Sequence, residues 1–110
     1  MRNQIILTGR LTKDPEVKTT ANELLVVCSL AYNKNKENSW FIDFNAWGQL
    51  ADKLKLYKKA ELVQIAGELD IQSWEKDGQK FSKPIINLKF IQPVTYKQLP
   101  NINNDEEKVF

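Results

Sequence analysis

Residues 40–67 read WFIDFNAWGQLADKLKLYKKAELVQIAG, and the spacing of their apolar positions changes twice. Trp40–Trp47 alternates, placing Phe41, Asp43, Asn45 and Trp47 on one face of a strand and Trp40, Ile42, Phe44 and Ala46 on the other. Gly48–Lys59 switches to a helical period. Leu50, Leu54 and Tyr57 fall at i, i+4 and i+7, with lysines on the remaining positions. From Glu61 to Trp74 alternation returns, and Val63, Ile65, Gly67, Leu69 and Ile71 are expected to point inward. The segment therefore predicts strand, short helix, long strand, and no other stretch of the chain has a convincing helical period.

Working outward, Gln4–Leu11 reads as a strand with Ile5, Leu7, Gly9 and Leu11 on one face. A glycine in mid-strand suits a bulge or sharp bend. A turn follows at Lys13-Asp14-Pro15, Glu16–Thr19 resumes extended structure, and Leu24–Tyr32 is a near-continuous apolar run fit for a buried strand. Asn33–Ser39 is a polar hairpin tip. Lys76-Asp77-Gly78-Gln79 contains the Asp-Gly hairpin signal, and Ser82–Ile91 returns as the partner strand with Ile86, Leu88 and Phe90 on one face. Beyond Pro93 the pattern ends. Four or five strands with one short helix between the third and fourth is the order of an OB-fold, an all-β, five-stranded Greek-key barrel. The division expected is an OB-fold domain over residues 1–97 and a flexible, acidic C-terminal tail over 98–110. The pattern alone also fits a generic β-sandwich.

Composition narrows the chemistry. With 110 residues, 42% of them hydrophobic, the chain suits one domain with a small core. Its 16 basic and 14 acidic residues are unevenly placed: the body is basic and the last ten residues are acidic. A polyanionic partner for the body follows. Histidine is absent, which removes the usual zinc sites and every histidine-based general base. Cys28 is the only cysteine, so no intrachain disulfide can form, and its apolar setting makes it a core residue. Asp43, Glu68 and Asp70 have no partner at metal-ligand spacing, and the glycines never cluster into a phosphate loop. No enzyme, no cofactor, no metal, no membrane partner and a cytoplasmic setting are the expectations.

The aromatics point to function. Trp74 and Phe81 stand among Lys76 and Lys80 on the expected hairpin, Phe41 and Trp47 share a face with polar Asp43 and Asn45, and Tyr32 precedes Lys34 and Lys36. Exposed rings beside cations suit unpaired nucleic acid, whose bases stack on rings while its phosphates meet lysines. Trp40, Phe44 and Phe90 are expected in the core by strand parity, and Tyr57 as helix packing. Among the helix-region lysines, Lys59 is singled out because it leads into the next strand.

The sequence resembles bacterial and phage single-stranded-DNA-binding proteins. IILTGRLTKDPEVKTT is similar to the opening of that family, CSLAYN to its second strand, WFIDFNAWGQLADKL to its third strand and helix, and LVQIAGELDIQSWEKDGQKF to its fourth strand and long hairpin. The likeness runs from about Asn3 to Pro93. It implies stacking platforms at Phe41, Trp47 and Trp74, and phosphate contacts from Arg10, Lys13, Lys18 and Lys59. It implies assembly as a homotetramer, or as a dimer, with first strands meeting across an interface. Three departures stand out: the loop 33–39 is short and lacks a further aromatic, Thr19 replaces a common aromatic, and Asp43 places a negative charge on the DNA side. Cellular members end in a long linker and an acidic tip closing in Pro-Phe that recruits replication and repair enzymes. DEEKVF keeps Asp105, Glu106, Glu107 and Phe110 without the proline. It reads either as a solubilising end or as a partner-binding one, and the shortness of the chain suggests phage or plasmid origin.

Two functions compete at this point. One is sequence-independent binding and protection of single-stranded DNA in replication, recombination or repair. The other is an OB-fold adaptor of the primosome type, holding mainly a protein on the same face.

Overall fold

The computed structural model describes residues 3–33 and 37–95. In chain order the elements are β1 (Ile5–Leu11), β2 (Glu16–Thr19), β3 (Leu24–Asn33), β4 (Ser39–Trp47), α1 (Gly48–Leu54), β5 (Leu62–Lys76) and β6 (Gln79–Pro93). Hydrogen-bonded neighbours run β1-β5-β6-β4-β3-β2, and β1 also pairs with β3. That second pairing closes β1, β5, β6, β4 and β3 into a five-stranded ring, with β2 an antiparallel addition to β3. All neighbours in the ring are antiparallel except β4 and β6, which align Asp43 with Ile85 and Asn45 with Asn87 in parallel. This is the Greek-key barrel of an OB-fold.

Closure depends on β1 serving two neighbours. Its first six residues pair with β5, and Arg10 and Leu11 then pair with Ala31 and Leu30 of β3. Gly9 sits at the changeover, where an added Cβ would strike the Ala31 carbonyl. Gly67 plays the matching part in β5, where a Cβ would strike the carbonyl of Asn87. Beyond Ile5, Asn3 continues the pairing with its side chain: Nδ2 donates to the Leu69 carbonyl at 2.7 Å, and Leu69 N–H donates to Oδ1 at 2.8 Å.

The barrel interior is filled by Leu11, Val26, Cys28, Leu30, Phe44, Ala46, Val63, Ile65, Ile86, Leu88 and Ile91. Burying one such large side chain is worth about 1.5–3 kcal/mol. Helix α1 turns Ala51 and Leu54 into the same core, joined by Tyr57 just past its end. The helical period predicted α1 through Lys59, yet it stops at Leu54. Tight turns follow, with Leu56 N–H bonded to Lys53 and Tyr57 N–H to Leu54, and Ala60 takes φ 75° as the chain swings into β5. Cys28 lies in the core, where burial pushes its thiol pKa up, so it is an unreactive packing residue.

Burial departs from the expected pattern in three places, each for a geometric reason. Phe90, expected in the core, is 42% exposed. Ala66 pairs with Phe90 but Gly67 pairs with Leu88, so Lys89 is an extra residue that flips the alternation and sends Ile91 inward instead. Trp40, also expected inside, is 48% exposed because it lies near the start of β4, opposite Tyr32, above the layer filled by Phe44. Leu69 and Ile71 keep the inward parity of β5 but are exposed: Leu69 lies at the rim of the barrel, where Asn3 still bonds it, and by Ile71 β5 and β6 run on past the barrel as a two-stranded hairpin.

Candidate nucleic-acid interface

The hairpin is built by its turn. Asp77 and Gly78 both take positive φ, 53° and 81°, the geometry of a two-residue turn whose twist matches the strands it joins. This fixes a register in which Trp74 faces Phe81 and Glu75 faces Lys80. The two rings stack with centroids 5.7 Å apart and planes within 18°. Such a pair contributes about 0.5–1.5 kcal/mol beyond the area it buries, which stiffens a hairpin that has no core beneath it. Trp74 remains 44% exposed.

The same alternation places a second aromatic group on β4. Phe41 is 67% exposed and Trp47 is 44% exposed, and their register partners on β3 are Ala31 and Leu25. Pairing carries this face across the sheet: Lys18 of β2 stands beside Leu25, Asp43 beside Ile85, Asp70 beside Ile85, and Gln72 beside Lys83. Phe41, Trp47, Trp74 and Phe81 therefore belong by register to one outward face. Contacts bridge it. Lys83 Nζ lies 2.6 Å from Asp43 Oδ2, spanning β4 and β6, and Asn87 Nδ2 donates to Asp70 Oδ2 at 3.3 Å. Asn45 Oδ1, in the middle of the face, is buried without a hydrogen-bond partner among the described residues.

The expected basic contacts are distributed around this face. Arg10 Nη1 donates to the Ala60 carbonyl at 2.9 Å, and Lys59 N–H donates to Asp14 Oδ1 at 2.7 Å, so the first turn and the helix exit are tied together. Lys13 sits 3.9 Å from Glu16 in an exposed, weak pair. Lys18 is exposed on β2 and Lys76 is exposed near the hairpin tip on the Trp74 side, whereas Lys80, paired with Glu75, falls by register on the opposite side of the hairpin. Tyr32 is half-buried opposite Trp40. Lys34 and Lys36, and the tail residues Asp105, Glu106, Glu107 and Phe110, lie outside the described residues.

The sequence that builds this face matches a known family. The single-strand binding protein family model covers residues 2–94. The chain belongs to that family. Among curated members, a single-stranded DNA-binding protein of Aquifex aeolicus is 32% identical across 98% of this chain and 80% of its own length. Single-stranded DNA-binding protein 2 of Streptococcus agalactiae is 39% identical over 72% of this chain. The chain spans only 66% of that protein, and 29% of a Deinococcus radiodurans relative that is 33% identical.

Within this single-strand binding protein, three contacts on or around the candidate face have no local sequence signal or only a weak one. Lys83 faces Asp43, and its position two residues after Phe81 could have placed it on the aromatic face by parity. Asp14 reads in sequence as a turn residue, and its acceptance of the Lys59 N–H crosses 45 residues of chain that no local signal spans. Asn3 likewise precedes any recognisable strand pattern.

Proposed function

We propose that the face carrying Phe41, Trp47, Trp74 and Phe81 binds single-stranded DNA without regard to sequence, protecting it during replication, recombination or repair. The observation that carries this reading is the register that puts all four exposed rings on one side of the sheet, with lysines at both ends. Bases stack on the rings, and Arg10, Lys13, Lys18, Lys59, Lys76 and Lys80 meet phosphates around them, with Tyr32, Lys34 and Lys36 adding contacts at the β3–β4 hairpin. The protein catalyses nothing in this role, which takes place in the cytoplasm of a cell or of a phage-infected host. Family membership disfavours the adaptor alternative, in which a protein occupies the face. A mixed-sequence single strand competed against its own duplex tests the proposal: preference for the single strand is expected, and equal binding would contradict it.

Residues 1–97 constitute the binding domain on this reading, and the acidic tip of 98–110 recruits replication or repair proteins. Self-association, as a tetramer or a dimer, is supported by a second exposed feature. Ile6, Ala66 and Phe90 are aligned across β1, β5 and β6, and both Ile6 and Phe90 are exposed. Lys53 Nζ is 6.0 Å from the Phe90 ring centroid, but the row is otherwise open and apolar, as a subunit contact would be.

A further inference from the structure

The aromatic face has an acidic centre. Asp43, Glu68 and Asp70 all lie on it by register, with Lys83 as the cation that reaches Asp43. A carboxylate here opposes the phosphates of any strand that binds, and the salt bridge determines how strongly. Both partners of the pair are half-exposed, so it adds little to stability. Its consequence is electrostatic. Phe41 lies two residues before Asp43 on β4, and Phe81 two residues before Lys83 on β6, so the ion pair occupies the junction between the two aromatic groups.

We infer that Asp43 withholds Lys83 from phosphate, leaving a junction that a base crosses while the sugar-phosphate chain runs along the lysine-bearing margins. This rests on the single-strand-binding reading of the face. Lys83 is a positioning residue: it cancels Asp43 and adds no phosphate contact of its own. The strand's affinity and salt dependence are thereby held below what the count of lysines on the face would give.

The pair makes a testable cycle. Asp43→Asn keeps the shape of the side chain and frees Lys83. Single-strand affinity should rise, and the slope of log K against log salt should steepen by about 0.7, the increment for one added phosphate contact on a single strand. Between about 50 and 200 mM salt the variant should lose roughly 2–3-fold more affinity than the parent. Adding Lys83→Gln should return the slope to the parent value. An unchanged slope in Asp43→Asn, or a slope in Lys83→Gln alone that is shallower by the same 0.7, would overturn the inference, the second because Lys83 would then already meet phosphate. Failure of the parent protein to bind single strands would instead defeat the underlying functional reading. Circular dichroism and thermal melting of each variant separate lost binding from lost fold.

Discussion

Trp74 shows how one residue connects packing to function. Its ring stacks on Phe81, on a stretch of β5 that is exposed from Glu68 onward, so removing it should barely disturb the barrel. Trp74→Ala is expected to cost about 1–3 kcal/mol of single-strand affinity, the general scale for base–aromatic stacking in OB-fold single-strand binders. Equilibrium binding with a parallel thermal melt checks it; a variant that unfolds would mark Trp74 as a packing residue. The exposure of Trp74, Phe81, Phe41 and Trp47 was legible in the sequence because each ring stands beside charged or polar neighbours. Trp40 and Phe90 were misread because alternation carries no information about where a strand leaves the core or gains an extra residue. One bulge at Lys89 exchanges Phe90 for Ile91, and its sign in the sequence, mid-strand Gly67, lies on the partner strand and does not say which residue of β6 is the extra one.

At the scale of elements, the hairpin and the barrel obey different rules. Inside the barrel β5 alternates between core and surface, whereas from Glu68 onward every residue of the strand is exposed. The turn, the helix and most strand positions were readable from local chemistry: Asp-Gly for the turn, the shift in period for α1, alternation for the strands. The early end of α1 was not, because it is set by the route the chain must take into β5. Gly67 marks the boundary between barrel and hairpin, and its lack of a Cβ permits β5 to lie against the Asn87 carbonyl. Gly67→Ala should therefore destabilise the fold by roughly 1–3 kcal/mol, as overpacking commonly does. Chemical denaturation measures this, and a variant as stable as the parent would show that β6 can retreat without cost.

The whole molecule has an alkaline weakness. Burial raises the pKa of the Cys28 thiol and of the Tyr57 phenol. Both groups are neutral when protonated, so the folded state keeps protons that the unfolded chain releases first. The associated stability is complete below their ordinary values and falls as pH rises through the thiol and phenol range. The melting temperature should decline there, and a Cys28→Ala, Tyr57→Phe double variant should decline less. Equal slopes for the two proteins would mean other groups govern the alkaline limit.

Ring closure matters at this scale too, since it holds Phe41 and Trp47 on the same rigid sheet that launches the Trp74–Phe81 hairpin. The most direct test of that arrangement is intrinsic tryptophan fluorescence titrated with poly(dT), first at low salt and then at high salt. Strong, stoichiometric quenching that weakens as salt rises is the predicted result, from bases stacked on Trp47 and Trp74 and phosphates held by the surrounding lysines. Absence of quenching at low salt would contradict it, leaving the aromatic face to a protein partner.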